Sequence, residues 1–155
     1  RANIMNKNTI WVDADACPVK PEIRKVAERH NLKVIQVADG GLRPSRDPMV
    51  QNVIVTQGAD AADDWIAENI SENDICITND IPLAKRCLEK QAKALKPNGK
   101  LFDEANIGMA LAMREINQHI RESQQTQTYN AGFTQKDRSN FLSMLHQLIL
   151  ETKNK

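Results

Sequence analysis

The sequence predicts an α/β fold of three layers, with a mostly parallel central sheet and extra helices at the C-terminal end. Three observations lead to this. Short apolar β-type runs alternate with helical patterns up to about Lys100, and such alternation implies right-handed βαβ crossovers and hence parallel pairing. Prolines stand where helices begin after those runs, a place that tolerates a missing N–H. Beyond Phe102 the pattern is helical throughout.

Thr9-Ile-Trp-Val12 reads as a compact apolar strand. Pro18 and Pro21 then open a helix with Ile23, Val26 and Ala27 at i, i+3 and i+4, running to about Asn31. Val34–Ala38 is a second strand. Asp39–Asn52 reads as loop, because Gly40, Gly41, Pro44 and Pro48 all break regular structure. Val53–Val55 is a third strand, and Asp60 is expected to cap a helix running through Ile70. Ile75–Thr78 is a fourth strand, with Pro82 in the first turn of the next helix. Ala94-Leu95 is a short fifth strand ending at Pro97.

Glu104–Ile120 carries apolar residues at Ile107, Leu111, Ile116 and Ile120, with Met109 and Met113 expected in the core. A polar linker, Ser123–Gly132, leads to a final helix that starts at Thr134 with Asp137 three residues on, close to a capping box. Phe141, Leu142, Leu145, Leu148 and Ile149 form its apolar face, expected to pack on the sheet or to make a homodimer contact. The expectation is one domain over residues 9–150, preceded by a disordered or expression-derived stretch at 1–8.

The composition narrows the function. The 155 residues suffice for one domain with a real core. A formal net charge of +1 argues against a strongly basic nucleic-acid coat or a polybasic membrane anchor. Aromatics at 4% are too few for a base-stacking platform. Cys17, Cys76 and Cys87 are odd in number and form no C-x-x-C pair, so neither a disulfide scaffold nor a zinc ribbon is indicated; reduced thiols in the cytoplasm are expected. No apolar run approaches the roughly 20 residues a membrane span requires, and no signal-peptide pattern is present. His30, His119 and His146 are scattered through helical patterns, which gives a histidine metal site or triad little support. Phosphate-binding loops of the P-loop and dinucleotide types are absent. Cys17 follows a strand but has no evident histidine partner and reads as packing.

Open parallel sheets bind ligands at the carboxyl ends of their strands, and the acids of this chain concentrate there. Asp13-Ala-Asp15 directly follows the first strand. Asp80, in Thr78-Asn79-Asp80, follows the fourth; it can equally cap the helix behind it. Asp60-Ala-Ala-Asp63-Asp64 opens a helix whose buried face is set by Ala62, Trp65, Ile66 and Ile70. At about 100° per residue Asp63 lies at the edge of that face, whereas Asp64 points to solvent and Asp60 sits at the cap. Several carboxylates together raise one another's pKa unless a cation offsets them, and hard cations take oxygen ligands. Asp13, Asp15, Asp63 and Asp80 are therefore the expected metal ligands for Mg²⁺ or Mn²⁺, with Asp13, Asp63 and Asp80 catalytic and Asp60, Asn79 and Thr78 at the rim. Such a site suits phosphodiester hydrolysis.

Substrate phosphates need cations. Arg43 and Arg46 lie in a Gly/Pro-rich loop that is long for a compact domain. Lys20 and Arg24 follow the first strand. The run Lys85–Lys100 holds Lys85, Arg86, Lys90, Lys93, Lys96 and Lys100 against a single acid, Glu89, and reads equally as a solvated surface. Asp103-Glu-Ala-Asn106 opens the helix after Phe102 and reads as an N-cap.

Four segments together, Thr9–Pro18, Gly58–Asp63, Thr78–Ala84 and Phe102–Met109, closely resemble the YaiI/YqxD family of bacterial proteins, and the likeness continues into Phe133–Ser139. That family is similar to PIN-like domains, metal-dependent ribonucleases built on a parallel sheet with an acidic centre. The resemblance implies a PIN-like fold, a Mg²⁺- or Mn²⁺-dependent ribonuclease activity and RNA as partner. Asp13 would match the acid after the first strand, Asp63 the acid on the central helix and Asp80 the acid after the fourth strand. Asp15 belongs to the family's own motif. Two other functions remain open: a non-catalytic RNA- or protein-binding module on the same fold, and a haloacid-dehalogenase-type phosphatase with Asp13 as nucleophile, Asp15 as acid/base and Thr78 toward phosphate.

Overall fold

The computed structural model describes residues 8–14, 17–39, 47–55, 59–124 and 133–153, the side chains of 59, 60, 118–124 and 153 apart. Six strands form one sheet: β1 (Thr9–Asp13), β2 (Lys33–Ala38), β3 (Val50–Ile54), β4 (Ile75–Ile77), β5 (Lys93–Leu95) and β6 (Leu101–Phe102). Among the described residues five helices accompany them: α1 (Lys20–His30), α2 (Ala59–Asn69), α3 (Ile81–Glu89), α4 (Glu104–Gln124) and α5 (Gln135–Lys153). The order across the sheet is β3-β2-β1-β4-β5-β6, parallel except for the β5–β6 pair. This is the mixed α/β architecture expected.

Strand alternation sorts the core into two sides. Ile10, Val12, Val34, Ile75 and Ile77 pack with Ile23, Val26 and Ala27 of α1 and with Phe141, Leu145, Leu148 and Ile149 of α5. Trp11, Ile35, Val37 and Cys76 point the other way, into Ala62, Ile66 and Ala67 of α2 and Leu83 and Cys87 of α3. The helices divide between faces because the chain moves in opposite directions from β1 to β2 and from β4 to β5, and a right-handed crossover then lands on opposite sides. By the period of two, Asp13 and Thr78 fall on the α2–α3 face with Trp11 and Cys76.

Two long-range polar devices hold the frame. Buried Asp74 accepts from the Thr9 amide at 3.0 Å, the Trp11 indole Nε1 at 2.9 Å and the Ser71 amide at 3.0 Å, tying β1 to the turn before β4. On the other face His30, the last residue of α1, is hydrogen-bonded to His146 of α5, Nε2 to Nδ1, at 2.9 Å. The histidines are thus not all scattered; 116 residues separate this pair in sequence.

The caps are local, as read. Asp80 caps α3 by accepting from the Leu83 amide at 2.8 Å. Asp103 accepts from the Asn106 amide at 2.8 Å. Thr134 and Asp137 form a reciprocal capping box, each amide bonded at 3.0 Å to the other's side chain.

Several elements depart from expectation. β3 begins at Val50, three residues before the expected start, because β2 offers a full-length partner and Val34 through Ala38 each find one. As an edge strand β3 keeps polar Gln51 and Asn52, which hides it from an apolar-run search. The α2 helix begins at Ala59, so Asp60 lies inside its first turn and is not its cap. A sixth strand, unforeseen, follows a turn in which Lys96 donates to the Lys100 carbonyl at 2.9 Å and Gly99 adopts φ +94°. Met109 and Met113 are not in the core: they are 68% and 44% exposed, with Ile116 50% exposed beside them. The α4 helix docks through Ile107 on the opposite side, and at 3.6 residues per turn its second apolar stripe faces outward. The expected linker begins as helix, since α4 runs through Ser123 to Gln124; its remainder, 125–132, and residues 1–7 of the expected disordered or expression-derived stretch lie outside the described residues.

Candidate functional site

The sheet order reverses direction between β1 and β4, and this switch point opens a crevice at their carboxyl ends. Asp13 is the last residue of β1. Trp11 pairs with Cys76 and Val12 with Ile77, so the next rung sets Asp13 beside Thr78. The Thr78 hydroxyl donates to Asp13 Oδ2 at 2.8 Å and accepts from the Asp80 amide at 2.9 Å. One buried hydroxyl therefore links the ends of the two strands that carry acids.

Asp63 enters from α2. Ala62 and Ile66 of that helix are buried against the sheet, and half-buried Asp63 stands at the edge of their face, as the helical period requires. Asp63 and Asp80 line one cleft of about 280 Å³ with Asp64, Pro82, Leu83, Arg86 and Arg114. Cys76 is fully buried on the same face of the sheet, its thiol pushed well above its ordinary 9.0. The first cause is its hydrogen bond with Cys87, then burial, then the charge of Cys87 and those of Asp13 and Asp63. Both carboxylates thus act on the same buried sulfur from β1 and from α2.

Asp64 is the surface acid expected, its carboxylate 2.7 Å from the Arg86 guanidinium. That contact raises the pKa of Arg86, with the charges of Asp64, Glu68 and Asp63 adding to it. The rest of the basic run is dispersed. Lys90 donates to the Glu68 carbonyl at the end of α2 at 3.0 Å, and Lys96 lies 5.4 Å over the Phe102 ring. Burial, then Lys100, lowers the Lys96 pKa. Lys20 stands at the start of α1, its charge felt by Cys17 together with that of Asp13. Arg24 is exposed on α1, which packs on the other face of the sheet; neither residue lines the cleft. Cys17 is half-buried with its pKa raised, first by burial, in keeping with packing. Asn79 is exposed beside Asp80. Asp15, Arg43, Arg46 and the Asp60 side chain lie outside the described residues.

The residue that sequence reading passed over is Arg114. Its signal is partial: Arg114 stands at i+7 from Ile107, on the stripe of α4 that docks, but its side chain is exposed and the period alone does not say which stripe docks.

The donor set at the crevice is carboxylate and hydroxyl oxygen, which suits a hard divalent cation. Among the described residues, however, no three His, Cys, Asp or Glu side chains come close enough to hold a metal ion together. Mg²⁺ commonly takes one or two carboxylates and completes its shell with water. The described acids fit that mode.

The fold and this crevice define a class: an α/β protein with acids at the strand ends beside the switch point of a largely parallel sheet. The particular family follows from comparison. The family model described as uncharacterized BCR, YaiI/YqxD family, matches residues 11–151. The chain belongs to this family. It is 60% identical over 144 residues to UPF0178 protein Atu1478 of Agrobacterium fabrum, covering 93% of this chain and 94% of that one. It is 59% identical over 144 residues to UPF0178 protein R01393 of Rhizobium meliloti, covering 93% and 99%. To UPF0178 protein Rru_A0086 of Rhodospirillum rubrum it is 52% identical over 145 residues, covering 93% and 97%. No solved structure matches the chain. No described helix is long and apolar enough to cross a membrane.

Proposed function

We propose that this protein is a PIN-like, Mg²⁺- or Mn²⁺-dependent ribonuclease that hydrolyses phosphodiester bonds at the crevice bounded by Asp13, Asp63 and Asp80. The observation that carries the reading is the Asp13–Thr78–Asp80 connection at the switch point, with Asp63 of α2 lining one cleft with Asp80. Strand ends at a switch point are where open α/β sheets bind ligands.

In this reading one or two of Asp13, Asp63 and Asp80 would hold the cation directly, the others acting through its water shell. A divalent cation held there would supply Lewis-acid chemistry, making water a better nucleophile and offsetting charge at phosphorus. Thr78 fixes the Asp13 carboxylate by donating to it. Asp80 combines two tasks: one oxygen accepts from the Leu83 amide to cap α3, which anchors its carboxylate at the cleft wall.

The absence of a closed three-acid cluster among the described residues favours a second reading, a binding module that no longer cleaves. The phosphatase reading draws less support, because Thr78 spends its donor on Asp13 rather than on a substrate phosphate.

The test is cleavage of labelled single-stranded RNA with Mn²⁺, with EDTA, and with Asp13→Asn and Asp80→Asn. Cation-dependent cleavage lost in both variants is the expected result. No cleavage by the parent on any RNA, with cation affinity intact, favours the binding module. Either variant cleaving like the parent refutes the site.

A further inference from the structure

We infer that Arg114, with Arg86 once it leaves Asp64, forms a phosphate clamp in this cleft, and that the ligand class it takes is the sugar-phosphate backbone of a nucleic acid. This rests on the nuclease reading and extends it to a substrate class. Three helices build the cleft and bring both charge signs into it. The α2 helix supplies Asp63 and Asp64, α3 supplies Arg86 and, as its N-cap, Asp80, and α4 brings Arg114. Arg114 makes no ion pair among the described residues, although acids stand around the same cleft. Arg86 is held by Asp64 at 2.7 Å, but the two side chains are 43% and 58% exposed. A surface pair so exposed is weak, so an incoming phosphate displaces Asp64 at little cost. Guanidinium groups then bind phosphate oxygens in bidentate fashion.

The charge count makes the clamp conditional. Three carboxylates against two guanidiniums leave the cleft with one net negative charge, which repels phosphate. A divalent cation on the carboxylates inverts this to one net positive charge, and the arginines become an anion site. The lining sets how the ligand is read. None of the cleft's lining residues is aromatic, so recognition runs through phosphate and ribose rather than stacked bases.

The experiment measures binding apart from cleavage. A fluorescein-labelled 2′-O-methyl oligouridylate, resistant to hydrolysis, is titrated by anisotropy with Mn²⁺ alone as cation. Arg114→Ala is expected to weaken binding about tenfold, as for loss of a charge-assisted contact, and to reduce the salt slope by about 0.7 for one single-strand phosphate. Asp64→Asn is expected to bind at least as tightly as the parent. Arg29→Ala, which removes the same charge from the far layer, is expected to bind like the parent. Omitting Mn²⁺ is expected to abolish binding. An Arg114→Ala protein that binds like the parent overturns the clamp while leaving the nuclease reading to its own cleavage assay. Uridine monophosphate bound as tightly as the oligomer overturns the backbone class in favour of a small phosphoester. A parent that binds without cleaving keeps the clamp and refutes the nuclease; a parent that does neither refutes both.

Discussion

The Thr78 hydroxyl donates a 2.8 Å hydrogen bond to the carboxylate of Asp13, joining residues 65 apart in the chain at the ends of two adjacent strands. The same oxygen accepts from the Asp80 amide. Thr78→Val keeps the shape and removes both contacts. It is expected to cost about 1–2 kcal/mol of stability and to weaken Mn²⁺ binding in calorimetric titration. Thr78→Ser, which retains the hydroxyl, is expected to recover both. Equal Mn²⁺ affinity in parent and Thr78→Val would show that the bond does not position Asp13 for the cation.

Asp13→Asn and Asp80→Asn are expected to fold normally by circular dichroism and to lose Mn²⁺ binding. The fold survives at position 80 because Asn caps helices as well as Asp does, so the amide of Leu83 keeps an acceptor. Saturable Mn²⁺ binding retained in both variants would move the cation site elsewhere.

Asp74 is a structural acid. Asp74→Ala strands the Trp11 indole N–H and the Thr9 and Ser71 amides. The expected loss is about 2–4 kcal/mol in urea denaturation, since each buried donor left without an acceptor carries its desolvation cost. A loss under about 1 kcal/mol would mean that water replaces the carboxylate readily.

Gly99 is where the β5–β6 turn presses on α5. A Cβ there would lie 2.7–2.8 Å from the Asn140 carbonyl carbon, the Asn140 Cβ and the Phe141 nitrogen, and φ is +94°. Gly99→Ala is expected to lower the Tm by several degrees, because the contacts are mostly backbone and cannot yield. An unchanged Tm would show that the turn re-forms without the close approach.

The buried thiol of Cys76 sets a pH dependence. Its pKa in the fold is raised above the ordinary 9.0, so above pH 9 the unfolded chain releases a proton that the folded chain retains. Stability is then full below about pH 9 and falls as pH rises beyond it. Cys76→Ala is expected to flatten this fall. Lys96, with its pKa lowered from 10.5, acts in the opposite direction but equally in both proteins, so their difference isolates the thiol. Parallel stability curves for the two proteins from pH 8 to 10 would contradict the burial of Cys76.

Much of the frame was legible because its signals are local. The capping residues Asp80, Asp103 and Asp137 act within three positions of themselves. The apolar face of α5, from Phe141 to Ile149, follows from the helical period alone. Asp63 was separable from Asp64 by the same period: Asp63 is half-buried at the edge of the packed face, whereas Asp64 is exposed and paired with Arg86, though both line the cleft. Where local signals were weak or double, reading erred. The β3 strand is polar because it lies at an edge, and α4 carries two apolar stripes of which only one can be buried.

By itself, then, the sequence determined the alternating α/β frame, the caps, and the acids at the ends of β1 and β4, since each depends on neighbours a few residues away. Only the tertiary structure decided which stripe of α4 faces inward, that His30 meets His146, and that Arg114 shares a cleft with Asp63 and Asp80. Those relationships arise from where each crossover and the final helices come to rest on the sheet. That is settled by packing the two faces together, among residues tens of positions apart, and no local pattern encodes it.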